Sequence, residues 1–222
     1  MTARRLLGGL TALLAWTALL VQFGLHVTSN VDINGAPRSV AMSIVDYFGY
    51  FTILTNLLVA LVLTGPMVAP GGAWARWAED LRTTWTAAAA ILVVGVAYHV
   101  LLSATYDPVG LAAVTDLLFH YIVPTLYVAY WIAFTDAREA RWTRHAAVLS
   151  IYPTTYFVYL IVRGEFLGTY PYFFVDVGTL GLLVAFRNAM AILAFYLFVA
   201  WLIALVAGRV RVPGRPGRPA GR

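Results

Sequence analysis

The sequence predicts an all-α membrane protein, six helices packed in one bundle, and three observations predict it. Of the 222 residues, 61% are hydrophobic and only 11% charged, where a soluble domain carries about a quarter. The apolar runs are near the ~20 residues that a helix needs to cross a bilayer. They also lack the alternation, over segments of about ten residues, that marks a transmembrane barrel strand. Cysteine is absent, which excludes disulfides and thiolate chemistry. All fifteen positive charges are arginine. Together with the alanine content this reads as coding bias, and no nucleic-acid partner is expected.

Each element follows from local composition. Arg4 and Arg5 precede an apolar run from Leu6 to about Val27. A signal peptide has a shorter apolar core and a small-x-small cleavage site, so this run is expected to be helix 1, uncleaved. Asn30 to Arg38, with Gly35 and Pro37, is a polar turn. Helix 2 is expected from Ser43 to Thr64, ended by Gly65-Pro66 and Pro70-Gly71-Gly72, with a loop carrying Arg76, Glu79, Asp80 and Arg82 after it. Helix 3 is expected from Thr84 to Ala104, stopping at Tyr106-Asp107-Pro108, and helix 4 from Leu111 to Phe134. A charged loop from Asp136 to Arg144 leads to helix 5, Ala146 to Val162, with Pro153 inside it. Arg163-Gly164-Glu165 and the aromatic segment Tyr170-Pro171-Tyr172-Phe173-Phe174 follow. Helix 6 ends near Ala207, and its start falls between Val177 and Phe186. Residues 1–208 are thus the transmembrane domain. The tail 209–222 repeats Gly, Arg and Pro and is too polar to bury a core, so it is expected to be disordered and cytoplasmic.

An even number of spans puts both termini on one side. Arg4, Arg5, Arg76, Arg82, Arg138, Arg141, Arg144 and the tail arginines then share that side, against Arg38 and Arg163 in opposite loops. The positive-inside rule makes the arginine-rich side cytoplasmic, as expected for a multi-pass protein of the cell membrane.

Polar residues inside the spans collect toward the other side. Asp116 and His120 are four apart and share one helical face. Pro124 lacks the N–H that would bond the carbonyl of residue 120. Thr52, Thr55 and Asn56 fall on one face of helix 2. Thr52 lies nine residues into that helix, as His120 does in helix 4, roughly 13 Å from the outer end. His99 lies in the outer part of helix 3, Gln22 and His26 form an i, i+4 pair in helix 1, and Tyr152, Tyr156, Tyr159 and Arg163 make a stripe on helix 5. Ionisable residues inside a bilayer are costly and usually functional. Plainer roles compete: Asp116 as an N-cap, Thr52 or Thr55 bonding its own helix backbone, His99 with Ser103 joining helices, the tyrosines as interface packing. Arg187 and Asn188 either lie mid-membrane, needing an acid such as Asp46, Asp116 or Asp176, or mark the outer end of a late-starting helix 6.

Tyr50-Phe51-Thr52-Ile53-Leu54-Thr55-Asn56 and His120-Tyr121-Ile122-Val123-Pro124, with Tyr152-Pro153 and Tyr170-Pro171-Tyr172-Phe173, resemble a bacterial family of six-helix membrane proteins. That family is distantly similar to the androgen-induced membrane hydrolases of animals, which cleave fatty acid esters of hydroxy fatty acids with a membrane-embedded threonine and histidine. The resemblance implies Thr52 as nucleophile, with Thr55 as its rival, and His120 as base. Where bacterial relatives carry an acid before the tryptophan that ends this segment, this chain has Tyr130. Asp116 would orient the imidazole as the acid of a triad does, while Asn56, Tyr156 and freed backbone groups are candidate oxyanion donors. The expected partner is a membrane lipid or lipid-like ester, and neither cofactor nor metal is required. A proton-coupled transporter also needs intramembrane Asp and His, but with polar groups along both halves of its path. A haem or metal protein needs matched histidine pairs, and a non-catalytic role is the remaining class.

The orientation has a direct check. Single cysteines at Ala36 and Thr169 should react with an impermeant maleimide on intact cells, and those at Ala75 and Ala140 should not. The reverse pattern overturns the placement of the polar end outside.

Overall fold

The computed structural model describes residues 2–29 and 37–209. Most of the expected polar turn Asn30 to Arg38, residues 30–36, and most of the expected tail, 210–222, lie outside the described residues. Six helices are long and apolar enough to cross a membrane: Ala3–Thr28, Phe51–Val68, Leu81–Leu102, Leu111–Phe134, Trp142–Leu167 and Leu182–Ala207. The chain is a helical membrane protein, and these are helices 1 to 6. Large apolar side chains such as Leu13, Leu20, Val158 and Leu183 point outward, where a bilayer would meet them.

Helix 3 is the centre of the bundle and packs against helices 2, 4, 5 and 6. Its Ala87, Ala88, Ala89 and Ala90 are fully buried. Small residues let backbones approach closely where lipid supplies no hydrophobic drive between helices. Trp85, also fully buried, stacks on Trp131 with ring centroids 6.3 Å apart. Its indole N–H donates to the Ala200 carbonyl at 2.9 Å, so no donor is stranded. Arg4 reaches Tyr130 (3.2 Å) and Glu79 (3.7 Å) at one end of the bundle. Thr115 donates to Gln22 (2.6 Å) and Tyr47 to the Leu19 carbonyl (2.7 Å) toward the other.

Helix 2 differs most from expectation. Residues Val40–Tyr47 form a separate helix, N-capped by the Ser39 hydroxyl, which accepts from the Met42 N–H. The chain then breaks and restarts at Phe51. Gly49 makes the break possible, because a Cβ there would lie 2.9 Å from both Arg163 Nε and the Asp46 carbonyl oxygen. Thr52 therefore sits in the first turn of helix 2, not nine residues inside it. At the other end the helix runs through Gly65-Pro66 to Val68. Helix 5 is longer than expected and carries Arg163 within it, buried, instead of in a loop. It ends at Gly168 in the left-handed region (φ 68), the usual glycine stop. Helix 6 begins at Leu182, inside the expected window, after a single turn at Val177–Leu180. Arg187 is exposed near that start, and Asn188 donates to the Phe174 carbonyl at 2.8 Å; the late-start alternative holds. Ala75 is buried within the short helix Ala73–Glu79, so exposed Ala73 is the better cysteine position, where silence reports topology and not burial.

Helices 3 and 4 each contain one π-helical turn, Tyr98–Leu102 and Leu118–Ile122. They cross closely at Gly95. A Cβ there would stand 2.8 Å from the His120 carbonyl oxygen and 3.4 Å from Pro124 Cβ. Gly95→Ala should therefore push the two helices apart at a cost of about 1–3 kcal/mol. The expected readout is a lowered melting midpoint of the detergent-purified protein. An unchanged midpoint would show that the crossing has slack.

Candidate functional site

The first turn of helix 2 presents donors that no helical carbonyl takes. Helical bonding starts with the Leu54 N–H to the Tyr50 carbonyl at 3.2 Å, so the N–H groups of Phe51, Thr52 and Ile53 have no partner inside the helix. The Tyr172 hydroxyl, from the loop before helix 6, accepts the Phe51 N–H at 3.0 Å. Beside these donors, Thr52 Oγ1 lies 3.4 Å from His120 Nε2. That is long for a hydrogen bond.

His120 belongs to the π turn of helix 4. The Val123 N–H bonds the Leu118 carbonyl, five residues back, and Pro124 follows with no N–H to give. The His120 carbonyl is left facing Gly95. Its Nδ1 is 3.0 Å from the Asp116 carbonyl oxygen and 3.0 Å from Asp116 Oδ1. Both are acceptors, so Nδ1 carries the proton, and in a neutral ring Nε2 offers its lone pair to the Thr52 hydroxyl. Tyr98 from helix 3 donates to Asp116 Oδ2 at 2.7 Å. Its ring also lies flat on the imidazole, centroids 3.6 Å apart and planes at 8°. Hydrogen bonds along the ring edge and an aromatic against its face hold His120 in one orientation. Its side chain is 11% exposed, and that of Asp116 13%.

The structure brings some expected site residues together and leaves others aside. Thr52, His120 and Asp116 form one chain of contacts. Thr55 is fully buried and pairs with the Tyr152 hydroxyl at 3.0 Å, away from the imidazole. Asn56 donates to the Thr52 carbonyl at 2.9 Å, and its Oδ1 has no partner. The Tyr156 hydroxyl is committed to the Gly49 carbonyl at 2.8 Å. His99 points away and is exposed, its Nδ1 3.2 Å from the Tyr121 hydroxyl; it joins helices 3 and 4 outside the cluster. Asp116 lies past the first turn of helix 4, which leaves its carboxylate free for Tyr98 and His120.

Tyr98, Gly95 and Tyr172 escaped the sequence reading. Tyr98 stands one place before the more conspicuous His99, and only the crossing of helices 3 and 4 selects it. Tyr172 lies in an aromatic segment whose partner cannot be read from its neighbours.

A cavity of about 500 Å³ opens on this cluster, walled in part by Thr52, His120, Asp116, Tyr98, Gln22 and His26. Burial pushes the Tyr50 phenol on its rim up to about 12, so that group stays a neutral hydroxyl. On the other side of Thr52 lies a smaller apolar chamber of about 110 Å³, with Val93, Val94, Phe157 and Leu193 in its wall. Thr52, Tyr98 and Tyr172 border both spaces. Among the described residues, no three His, Asp or Glu side chains are grouped to hold a metal ion.

Comparison with family models, with curated proteins and with solved structures finds no match for the chain.

Pro124→Ala restores a backbone donor opposite the His120 or Phe119 carbonyl. The gain is about 1 kcal/mol of helix stability, so the melting midpoint should rise. The π turn should tighten and turn the imidazole away from Thr52. A lower midpoint would mean that Pro124 packing against Gly95 outweighs the missing bond.

Proposed function

We propose that this protein is an intramembrane hydrolase of a lipid ester, with Thr52 as nucleophile and His120 as general base. The observation that carries this reading is the Thr52–His120–Asp116 series, with its single consistent proton arrangement. A threonine hydroxyl is a weak nucleophile until a neighbouring base takes its proton. His120 Nε2 would accept that proton as Oγ1 attacks the ester carbonyl carbon. The imidazolium would then protonate the departing alkoxide, leaving an acyl-threonine and the free alcohol. Water, activated by the same nitrogen, would release the acid and restore the hydroxyl. Asp116 holds the tautomer and stabilises the imidazolium. The Ile53 N–H, at the positive end of helix 2, is the fitting donor for the oxyanion, and the Thr52 N–H, which bonds the Tyr172 hydroxyl, would join it by leaving that partner. Asn56 instead bonds the Thr52 carbonyl and Tyr156 the Gly49 carbonyl. The apolar chamber beside Thr52 suits hydrocarbon and the larger cavity suits the polar part of an ester. The resemblance to the androgen-induced hydrolases points the same way. The arginine distribution supports cytoplasmic termini in the cell membrane, with this cavity facing outward.

The layer beneath the site disfavours proton-coupled transport. Val59, Ala60, Ala88, Ala89, Ile91 and Val123 are fully buried there, whereas a proton path needs polar groups along its length.

A lipophilic fluorophosphonate should form a covalent adduct on the Thr52 hydroxyl. Thr52→Ala should abolish labelling and ester hydrolysis in a protein that still purifies as a monodisperse species. His120→Ala should cost about 10²–10⁴-fold, the usual contribution of a general base. Asp116→Asn should cost less, and Thr55→Ala should be mild. If Thr55→Ala is the lethal change, the nucleophile moves one turn along helix 2. If neither threonine matters and a pH jump across proteoliposomes drives a flux that needs His120, the protein is a transporter.

A further inference from the structure

A second polar site lies at the same end of the bundle, built from charges that the ester chemistry does not use. Arg38 and Arg163 both close on one carboxylate, Asp46. Arg38 Nη1 donates to Asp46 Oδ2 at 2.7 Å, and Arg163 Nη2 donates to Asp46 Oδ1. Their remaining contacts among the described residues are neutral: Arg38 to the Ser43 and Ser29 hydroxyls at 3.0 and 3.4 Å, Arg163 Nη1 to the Thr169 carbonyl at 2.9 Å. The two arginine side chains are only 5% and 6% exposed. Arg163 Nε is buried without any partner. Beside them is a cavity of about 360 Å³, walled by both arginines, Asp46, Tyr50, Thr169 and Tyr170. Glu165, the acid nearest in sequence to Arg163, accepts from Tyr170 at 3.2 Å and does not wall this cavity.

Among the described residues the cluster thus carries two positive charges against one negative. A guanidinium cannot lose its proton under any ordinary condition, so burial cannot neutralise the excess as it would for a lysine or histidine. An anion in the cavity beside them would do so. With both Asp46 oxygens taken, N–H groups of the two guanidiniums remain without acceptors among the described residues, arranged in planar forks that match oxyanions. The site lies one turn from the end of helix 5, the level at which a spanning helix meets lipid headgroups.

We propose that Arg38, Arg163 and Asp46 form a binding site for a phosphate oxyanion, carried by an anionic lipid headgroup or free in solution. The excess positive charge draws the anion in, Asp46 holds the two guanidiniums apart in register, and the cavity provides the volume. The site stands apart from the threonine chemistry, although Arg38, Tyr50 and Pro171 border both cavities.

The test uses the full chain purified in a neutral maltoside detergent. Its melting midpoint is followed against phosphatidylglycerol in mixed micelles, against phosphatidylcholine as the zwitterionic control, and against inorganic phosphate at matched ionic strength. Saturable protection by phosphatidylglycerol alone identifies a lipid-borne phosphate, and protection by inorganic phosphate identifies a free one. Either supports the site. Arg38→Gln should raise the half-saturating concentration about tenfold or more, since one charge-assisted contact is lost. Asp46→Asn keeps the shape and leaves two uncompensated charges, so it should tighten binding. No protection by either phosphate source overturns the proposal. So does equal weakening by Asp46→Asn and Arg38→Gln, which would make the cluster a purely structural ion pair.

Discussion

The break between the Val40–Tyr47 helix and helix 2 is the constraint on which the rest depends. It strips backbone carbonyls of their helical partners within an apolar bundle, where each unsatisfied group costs several kcal/mol. Helix 5 supplies the donors from one face. Tyr156 reaches the Gly49 carbonyl at 2.8 Å, Tyr159 the Phe48 carbonyl at 3.4 Å, and Arg163 the Asp46 carboxylate. One turn deeper, Tyr152 meets Thr55 at 3.0 Å. A stripe that could pass for interface aromatics is a clamp. By fixing where helix 2 starts, it fixes the first-turn amides around Thr52.

Helices 3 and 4 answer this with an irregularity of their own. Pro124 removes a donor, the π turn before it changes the spacing, and Gly95 admits the His120 carbonyl where any side chain would collide. The same close approach lays Tyr98 on the imidazole and its hydroxyl on Asp116. Each departure from ideal helix here has a side chain or a missing side chain that accommodates it. Irregular backbone at membrane depth is tolerated where protein buries it or a cavity receives it, and both conditions hold in this half of the bundle.

The two halves of the bundle solve different problems. Around Ala87–Ala90 the helices pack tightly with small side chains, and Trp85 ties helix 3 to helix 6. Around the cavities the packing opens, and tyrosines, arginines and acids bond one another instead. A rigid, dry base of this kind holds the polar end in register without contributing chemistry to it.

How much was legible in the sequence follows from the range of the forces involved. The helical fold class, the number of spans, the bounds of helix 4 and the relation of Asp116, His120 and Pro124 rest on hydropathy and on i, i+4 geometry, which act within one segment. The sequence by itself therefore determined them. Thr52 beside His120 was suggested by a depth count that turned out wrong, because Thr52 stands in the first turn of helix 2 and not nine residues in. The break at Gly49 is set by Arg163, more than a hundred positions away, and no local signal carries it. Helix 5 continues through Arg163 because Asp46 and the Thr169 carbonyl receive N–H groups of the guanidinium, a pairing invisible from its neighbours in the chain. Tyr98 was preferred over His99 only when the crossing at Gly95 decided which face of helix 3 turns inward. Tertiary structure decided these matters because hydrogen bonds between segments override local propensity wherever water is absent to compete for them.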